Sequence, residues 1–514
     1  MCTSGNSSAP VSETAGSAQA MRPFQSSFCR GACLLVILAM LAACAVGPNF
    51  VRPSSPAVDR YTVEPLLAAT VAADNQAQRF TSGAALTADW WRLFQSAELD
   101  AVVRQALADN PTLQAAAASL RQSQHQLRAG YGVFFPQAGA ELDAIRERIV
   151  PLEEGLQAQP QVFNLVTLSG TISYALDIFG GERRMVEGLK AQVDYQRYAS
   201  QAAYLTLSAN VVNTIIARAA YVAEVRVTEQ LIELQRQQLK STEVEVRAGT
   251  APYSDVLSLR SLIAANQATL APLKQQISHT EDLLATLEGV TPAKATLPEI
   301  ELTGLSLPVE LPVSLPSDLA RQRPDILSSE AQLHAASANI GVATAAMFPS
   351  VSLSATYGGA GSSFGNLSAA SGRFWSIGPS ATVPIFQGGR LWYGRKAAID
   401  AYQVAQATYR QTVLDAFAQV ADSLKALEHD AQALQAEVDA QRAAGEALAL
   451  LQVSYHAGLV AYLDVWAADV QFHEATIGYL QAVAQRYQDT VALFVALGGG
   501  WWNSPRHGDP SEAP

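Results

Sequence analysis

The stretch "TLSGTISYALDIFGGERR", residues 167–184, changes its periodicity partway along. Leu168, Gly170, Ile172, Tyr174, Leu176 and Ile178 fall on one side of an extended chain, and Ser169, Thr171, Ser173, Ala175 and Asp177 on the other. Alternate residues of a strand point to opposite faces, so this pattern predicts a strand with one apolar face and one face of small polar groups. The alternation stops at Gly180 and Gly181. From Glu182 to Ala248 there is no proline, and Val225, Ile232, Leu239 and Val246 recur every seven residues. At about 1.5 Å per residue that predicts a helix on the order of 100 Å long, which must pack against others along its whole length as coiled coils do.

The same plan occurs twice. "LDIFGGERR" (176–184) returns as "VPIFQGGRL" (383–391), and "RAGTAPYSDVL" (247–257) as "HAGLVAYLDVW" (456–466). "DNPTLQAAAASLRQSQHQLRAGYGVFFPQ" (109–137) returns as "QRPDILSSEAQLHAASANIGVATAAMFPS" (322–350). Pro111/Pro324 and Pro136/Pro349 are each 213 apart, while Gly249/Gly458, Asp255/Asp464 and Gly289/Gly498 are each 209 apart. Self-similarity at fixed offsets marks two structural repeats. Each predicts a short helix entered through proline (about 112–131 and 325–345) and a pair of strands (about 137–178 and 350–386). A long helix follows, Glu182–Ala248 in one copy and Leu391–Ala457 in the other, closed by Gly249 or Gly458 in the left-handed conformation that ends helices. A returning helix completes each copy (about 253–288 and 461–497), the first carrying Pro272, where a kink is expected. In the second copy Val351, Leu353, Ala355 and Tyr357 alternate with Ser350, Ser352, Ser354 and Thr356, and Trp375, Ile377, Ala381, Val383 and Ile385 with Ser376, Ser380 and Thr382. The chain therefore divides into an N-terminal segment 44–95, repeats 96–289 and 317–502, a linker 290–316 with five prolines, and a polar tail 503–514.

Composition narrows the function. The net charge of −12 argues against nucleic-acid binding. After residue 43 there is no uncharged apolar run of about 18 residues, so any membrane crossing falls to strands. Their alternation fits a half-buried soluble hairpin equally well. In a membrane, four strands cannot close on themselves, and unpaired edges cannot face lipid, so two, three or four copies would supply eight, twelve or sixteen strands around a pore. The seven histidines are scattered without metal-ligand spacing, and there is no P-loop. "GSSFG" (361–365) matches the G-x-S-x-G elbow in letters, but it sits in a hairpin loop and Ser363 lacks a base partner. No enzyme activity, metal or cofactor is expected.

Ahead of these repeats, "GACLLVILAMLAA" (31–43) is too short to span a bilayer and follows two arginines, Arg22 and Arg30, as a signal peptide does. Residues 1–20 do not resemble a signal, which makes Met21 a candidate true start. Leu41-Ala42-Ala43-Cys44 resembles the lipobox of bacterial lipoproteins, which implies removal of 1–43, acylation of Cys44 and anchorage in lipid. Ala45 after the cysteine resembles an outer-membrane destination.

With "AVGPNFVRP" (45–53), "WWRLFQSAELDAVVRQALADNPTLQAA" (90–116), "RPDILSSEAQLHAASANIGVATAAMFPSVSL" (323–353), "PIFQGGRL" (384–391) and "ALGGGW" (496–501), the chain resembles the TolC-like outer-membrane efflux proteins, NodT-type lipoprotein branch. The resemblance implies a mainly α fold with a membrane β-barrel portion. It implies a homotrimer with a twelve-stranded barrel in the outer membrane, a long α-helical barrel in the periplasm and an equatorial region built from the termini and linker. The implied role is the exit duct of a tripartite efflux system, passing drugs or toxic small molecules from a proton-driven inner-membrane pump through a periplasmic adaptor. The implied adaptor-docking tips hold Arg247, Gly249, Thr250, Ser254 and Asp255 in one copy and Gly458, Tyr462 and Asp464 in the other. The implied periplasmic gate lies at Glu446, Leu450 and Gln452, acidic or apolar, since Glu446 is the single acid of 446–458. The rival reading is a periplasmic coiled-coil scaffold or adaptor lipoprotein that never spans the membrane.

Overall fold

A computed structural model of the chain describes residues 45–84, 86–149 and 160–503, so the signal segment 1–43, Cys44 and most of the tail 503–514 lie outside the described residues. The elements in chain order are β1 (Arg79–Ser82), α1 (Ala97–Asp109), α2 (Pro111–Gly130), β2 (Gln137–Ile149), β3 (Gln161–Leu176), α3 (Gly181–Ala248), α4 (Tyr253–Leu287), β4 (Glu310–Val313), α5 (Pro316–Gln322), α6 (Pro324–Ala345), β5 (Ser350–Gly361), β6 (Arg373–Thr382), α7 (Arg390–His456) and α8 (Tyr462–Ala496).

Local chemistry explains where the elements begin. Asn110 accepts from the Thr112 and Leu113 amides and Pro111 occupies the first turn of α2, where a missing N–H costs nothing. The Asp177 carboxylate, just past β3, accepts from the Glu182 and Arg183 amides and so caps α3. Helices α3 and α7 run for 68 and 67 residues. Helix α4 runs on through Pro272, whose missing N–H interrupts the pairing at one carbonyl. Pro272 and Ala268, whose carbonyl loses its partner there, are both exposed, so water satisfies the freed group.

The four long strands form one antiparallel sheet in the order β2-β3-β5-β6, the middle pairing joining the two repeats. Its two outer edges, on β2 and β6, are unpaired among the described residues. The main core lies away from this sheet, among the helices and the N-terminal segment. There Trp90, Trp91, Phe94 and Leu99 pack with Val212 and Ile216 of α3, Val420 and Leu427 of α7, and Val491 and Phe494 of α8. Residues 290–316 are more than a connection. Leu302, Leu311 and Val313 enter this core, and β4 pairs in parallel with β1, Arg79 opposite Glu310 and Ser82 opposite Val313.

Gly289 and Gly498, matched by the repeat, both close returning helices with positive φ, 77° and 92°. A Cβ on Gly289 would stand 2.6 Å from the Asp109 carbonyl oxygen. Gly289→Ala is therefore expected to cost about 1–3 kcal/mol and lower the thermal midpoint followed by circular dichroism. Gly304→Ala, where a Cβ meets open space, should leave it unchanged.

Candidate functional site

The sheet is sided over most of its length, although Ile145, Ile149 and Phe374, towards the ends of the strands away from the helices, stand on the side of the hydroxyls. Register places Leu142, Leu168, Gly359 and Arg373 in one cross-strand row, and Ala138, Ile172, Ala355 and Ile377 in another. Leu142, Leu168, Ile172, Leu176, Leu353, Tyr357, Trp375 and Ile377 are all exposed on this outward face. The opposite face carries hydroxyls that bond across strands, Thr171 to Thr356 at 3.3 Å and Ser352 to Ser380 at 2.9 Å. Glu141, Asp143 and Glu147 of β2 share that polar side. An apolar belt outside and a hydroxyl and carboxylate face inside is how a wall between lipid and water is built.

At the far end of the helices the two tips sit side by side, because the Tyr455 hydroxyl of the second donates to Glu245 Oε1 of the first at 3.4 Å. Gly249 (φ 77°) and Gly458 (φ 71°) close the long helices, with their amides donating to Val246 and Tyr455 carbonyls. Thr250 donates its hydroxyl to the Glu245 carbonyl, and the Ser254 hydroxyl to Asp255 Oδ1. Arg247 is exposed in the last turn of α3. The returning helices are capped differently from one another. Asp464 Oδ2 accepts from the Ala461 amide at 3.0 Å, but the corresponding residue of the first tip is Pro252, which has no N–H for Asp255 to accept. Tyr462 is not displayed. It stands edge-on to Tyr455 with ring centroids 5.5 Å apart, against a small core of Leu448, Val465 and Ala468, and burial pushes its hydroxyl pKa well above the usual value. Sequence reasoning missed Tyr455 and Glu245, since a contact between repeats leaves no local pattern.

Just before the second tip, Glu446, Leu450 and Val453 follow one side of α7 at four- and three-residue steps. Leu450 is 71% and Val453 70% exposed. Gln452 is exposed as well, but at about 100° per residue it points roughly 200° around the helix from Leu450, away from that row. Val453 continues the row instead.

At mid-helix Arg486 of α8 is fully buried and ties down the segment just before β1. Its Nε donates to Gln78 Oε1 at 3.0 Å, and its Nη2 to the Gln76 carbonyl at 3.1 Å and to Thr70 Oγ1 at 3.3 Å. Gln78 in turn donates to Thr490 Oγ1 and the Pro308 carbonyl. Beside it, Asp430 of α7 meets Asp489 of α8. Asp430 is pushed up to about 8, by burial first and by the Asp489 carboxylate second, with Arg486 pulling the other way.

Among the described residues no helix is long and apolar enough to cross a membrane, and no group of His, Cys, Asp or Glu could hold a metal ion. Ser363 precedes a 3-10 turn in the β5–β6 connection, not a strand-to-helix elbow.

Residues 102–290 and 315–499 match the family described as outer membrane efflux protein. The chain is similar to the pyoverdine export outer membrane protein OpmQ of Pseudomonas aeruginosa, 31% identical over 429 residues covering 82% of this chain and 88% of the relative. It is 28% identical to the toluene efflux pump outer membrane protein TtgC of Pseudomonas putida, over 91% of this chain and 95% of that one. Among solved structures it resembles the outer-membrane channel OprN, with a TM-score of 0.79 and 26% identity over 89% of this chain and 100% of that one.

Proposed function

This chain belongs to the outer membrane efflux protein family, and on that premise we propose that three copies close a twelve-stranded barrel that conducts small molecules out of the cell. The observation that carries this reading is a sheet of four strands with two edges unpaired among the described residues, an apolar outer face and a hydroxyl inner face. Open edges in hydrocarbon cost several kcal/mol per unsatisfied group, whereas joining edge to edge satisfies them. The long helices then continue the hole through the periplasm. The family is one of efflux channels rather than enzymes, so the chain works by geometry and charge.

The finer parts belong to the same proposal. Acylated Cys44 is a second anchor beside the barrel, with residues 45–53 as its leash. The paired tips, with Arg247, Thr250, Ser254, Asp255 and Asp464 at their ends, receive a periplasmic adaptor that links the duct to a proton-driven inner-membrane pump. The two relatives above are named for pyoverdine and for toluene, chemically unlike cargoes. That difference supports leaving cargo choice to the pump.

The constriction is formed by Leu450 and Val453, three copies of each, with Glu446 one turn before Leu450. Leu450→Ser is expected to raise single-channel conductance in planar bilayers at least about twofold, because wetting an apolar ring removes a dewetting barrier. An unchanged conductance would remove Leu450 from the gate. Protein that stays monomeric and silent in bilayers would overturn the duct itself.

A further inference from the structure

Strand β2, "QAGAELDAIRERI" (Gln137–Ile149), sorts its charges by sign. Its three carboxylates, Glu141, Asp143 and Glu147, lie opposite Ser169, Thr167 and Phe163 of β3 and share the polar inner side. Its two arginines, Arg146 and Arg148, lie opposite Asn164 and Val162 and share the outward side with Leu142, Leu168 and Ile172. The one charge of strand β6, Arg373, is also on the outward side. Arg373 is two residues beyond Trp375, which pairs with Tyr357 as an exposed aromatic row on the outward face. Aromatic rows of this kind mark the level where hydrocarbon gives way to headgroups.

All three arginines are exposed and lie towards the end of the strands away from the helices, Arg373 in the row of Leu142 and Leu168, and Arg146 and Arg148 further out along β2. Neither Arg146 nor Arg148 has an ion-pair partner among the described residues, and Arg373 only donates to the Ser368 carbonyl. Solubility alone gives no reason to exclude carboxylates from the outward side while placing three on the inner side. An anionic layer outside the barrel does. Guanidinium groups fork onto phosphate oxygens bidentately, and long side chains reach from apolar surface to a headgroup without burying their charge.

We propose that Arg146 and Arg148 of one copy, together with Arg373 of its neighbour across the β6–β2 seam, bind the phosphate groups of a phosphorylated glycolipid in the outer leaflet. The seam rests on the trimer reading above: β2 and β6 are the two free edges, so closure brings the edge bearing Arg373 against the edge bearing Arg146 and Arg148. Three seams give three sites per ring, and the lipid would caulk the joints where copies meet.

The test uses the full-length protein in neutral detergent, with native mass spectrometry after addition of a bisphosphorylated glucosamine-disaccharide glycolipid or of the same lipid with its phosphates removed. The native trimer should retain the phosphorylated lipid and release the phosphate-free one. R146Q/R148Q/R373Q should lower retention at least about tenfold, given roughly a fivefold contribution from each basic group near an anionic surface. R146K/R148K/R373K should keep much of it through charge alone, which shows that the fold tolerates substitution at these sites. E141Q/D143Q, on the other face, should change nothing. Equal retention of the two lipids, or a triple glutamine variant that binds as the native protein does, overturns the proposal. Failure of the trimer reading has a different signature, a monomer mass whatever lipid is present.

Discussion

Ile377→Arg is expected to abolish assembly in the membrane, while Ser376→Arg, one residue earlier on the same strand, leaves it largely intact. Ile377 is 67% exposed and lies on the outward face between Trp375 and Pro379, opposite Ala355 of β5. Within a trimer that face meets hydrocarbon. An arginine near the bilayer midplane of a barrel costs about 2–4 kcal/mol, and three copies raise the sum to roughly 6–12 kcal/mol, comparable with the whole stability of a typical domain. Ser376 lies opposite Thr356, which is bonded to Thr171 on the polar side, so a charge there meets water. The measurement is the amount of heat-resistant trimer in the outer-membrane fraction for each variant. Equal loss would mean the sheet is not sided, and would favour the non-spanning scaffold.

Most of the repeat plan is legible in the sequence because it depends on local periodicity. The alternation in 167–178 and 351–357 and the proline-free stretches after each double glycine are written residue by residue, and the observed helices end within a residue or two of the predicted ones. Strand β2 was harder, because its outward residues include Ala138, Ala140 and Ala144, too small to stand out, and its charges obscure the alternation until parity sorts them. The β1–β4 pair was not legible. Each strand has four residues, too few for a period, and their partners are far apart in sequence. At the tips, glycine closure was readable from the repeat, but the burial of Tyr462 against Tyr455 depends on how two helices meet. Arg486 gives no sequence signal. It sits in an ordinary helical run, and its partner Gln78 is 408 residues away.

That arginine carries the second large effect. Arg486→Met keeps the bulk of the stem but leaves Gln78 Oε1 without its donor inside the equatorial core, and takes one of two donors from the Gln76 carbonyl, which keeps the Ala73 amide, and from Thr70 Oγ1, which keeps the Gln78 amide. It also removes the cation beside Asp430 and Asp489. Removing one partner of a buried charged network costs about 3–5 kcal/mol, so Arg486→Met should lower the thermal midpoint and release the 70–78 segment to proteolysis. The loss should depend on pH with a definite sign. Asp430 Oδ2 is buried without a donor among the described residues, and two carboxyl groups in contact share a proton more readily than they both ionise. Because the folded state holds that proton up to about 8 and the unfolded chain releases it near the ordinary carboxylate value, the stabilisation is complete at acid pH. It declines as pH rises towards 8 and levels off above. Midpoints measured from about pH 5 to about pH 8.5 should therefore fall for the native protein and fall further for Arg486→Met, in which Asp430 ionises with no cation beside it. Asp430→Asn, which cannot ionise and can donate to Asp489, should flatten this part of the profile and be the more stable protein at the alkaline end. Native and Asp430→Asn profiles that run parallel across that range would show that the carboxyl pair does not hold a proton in the fold.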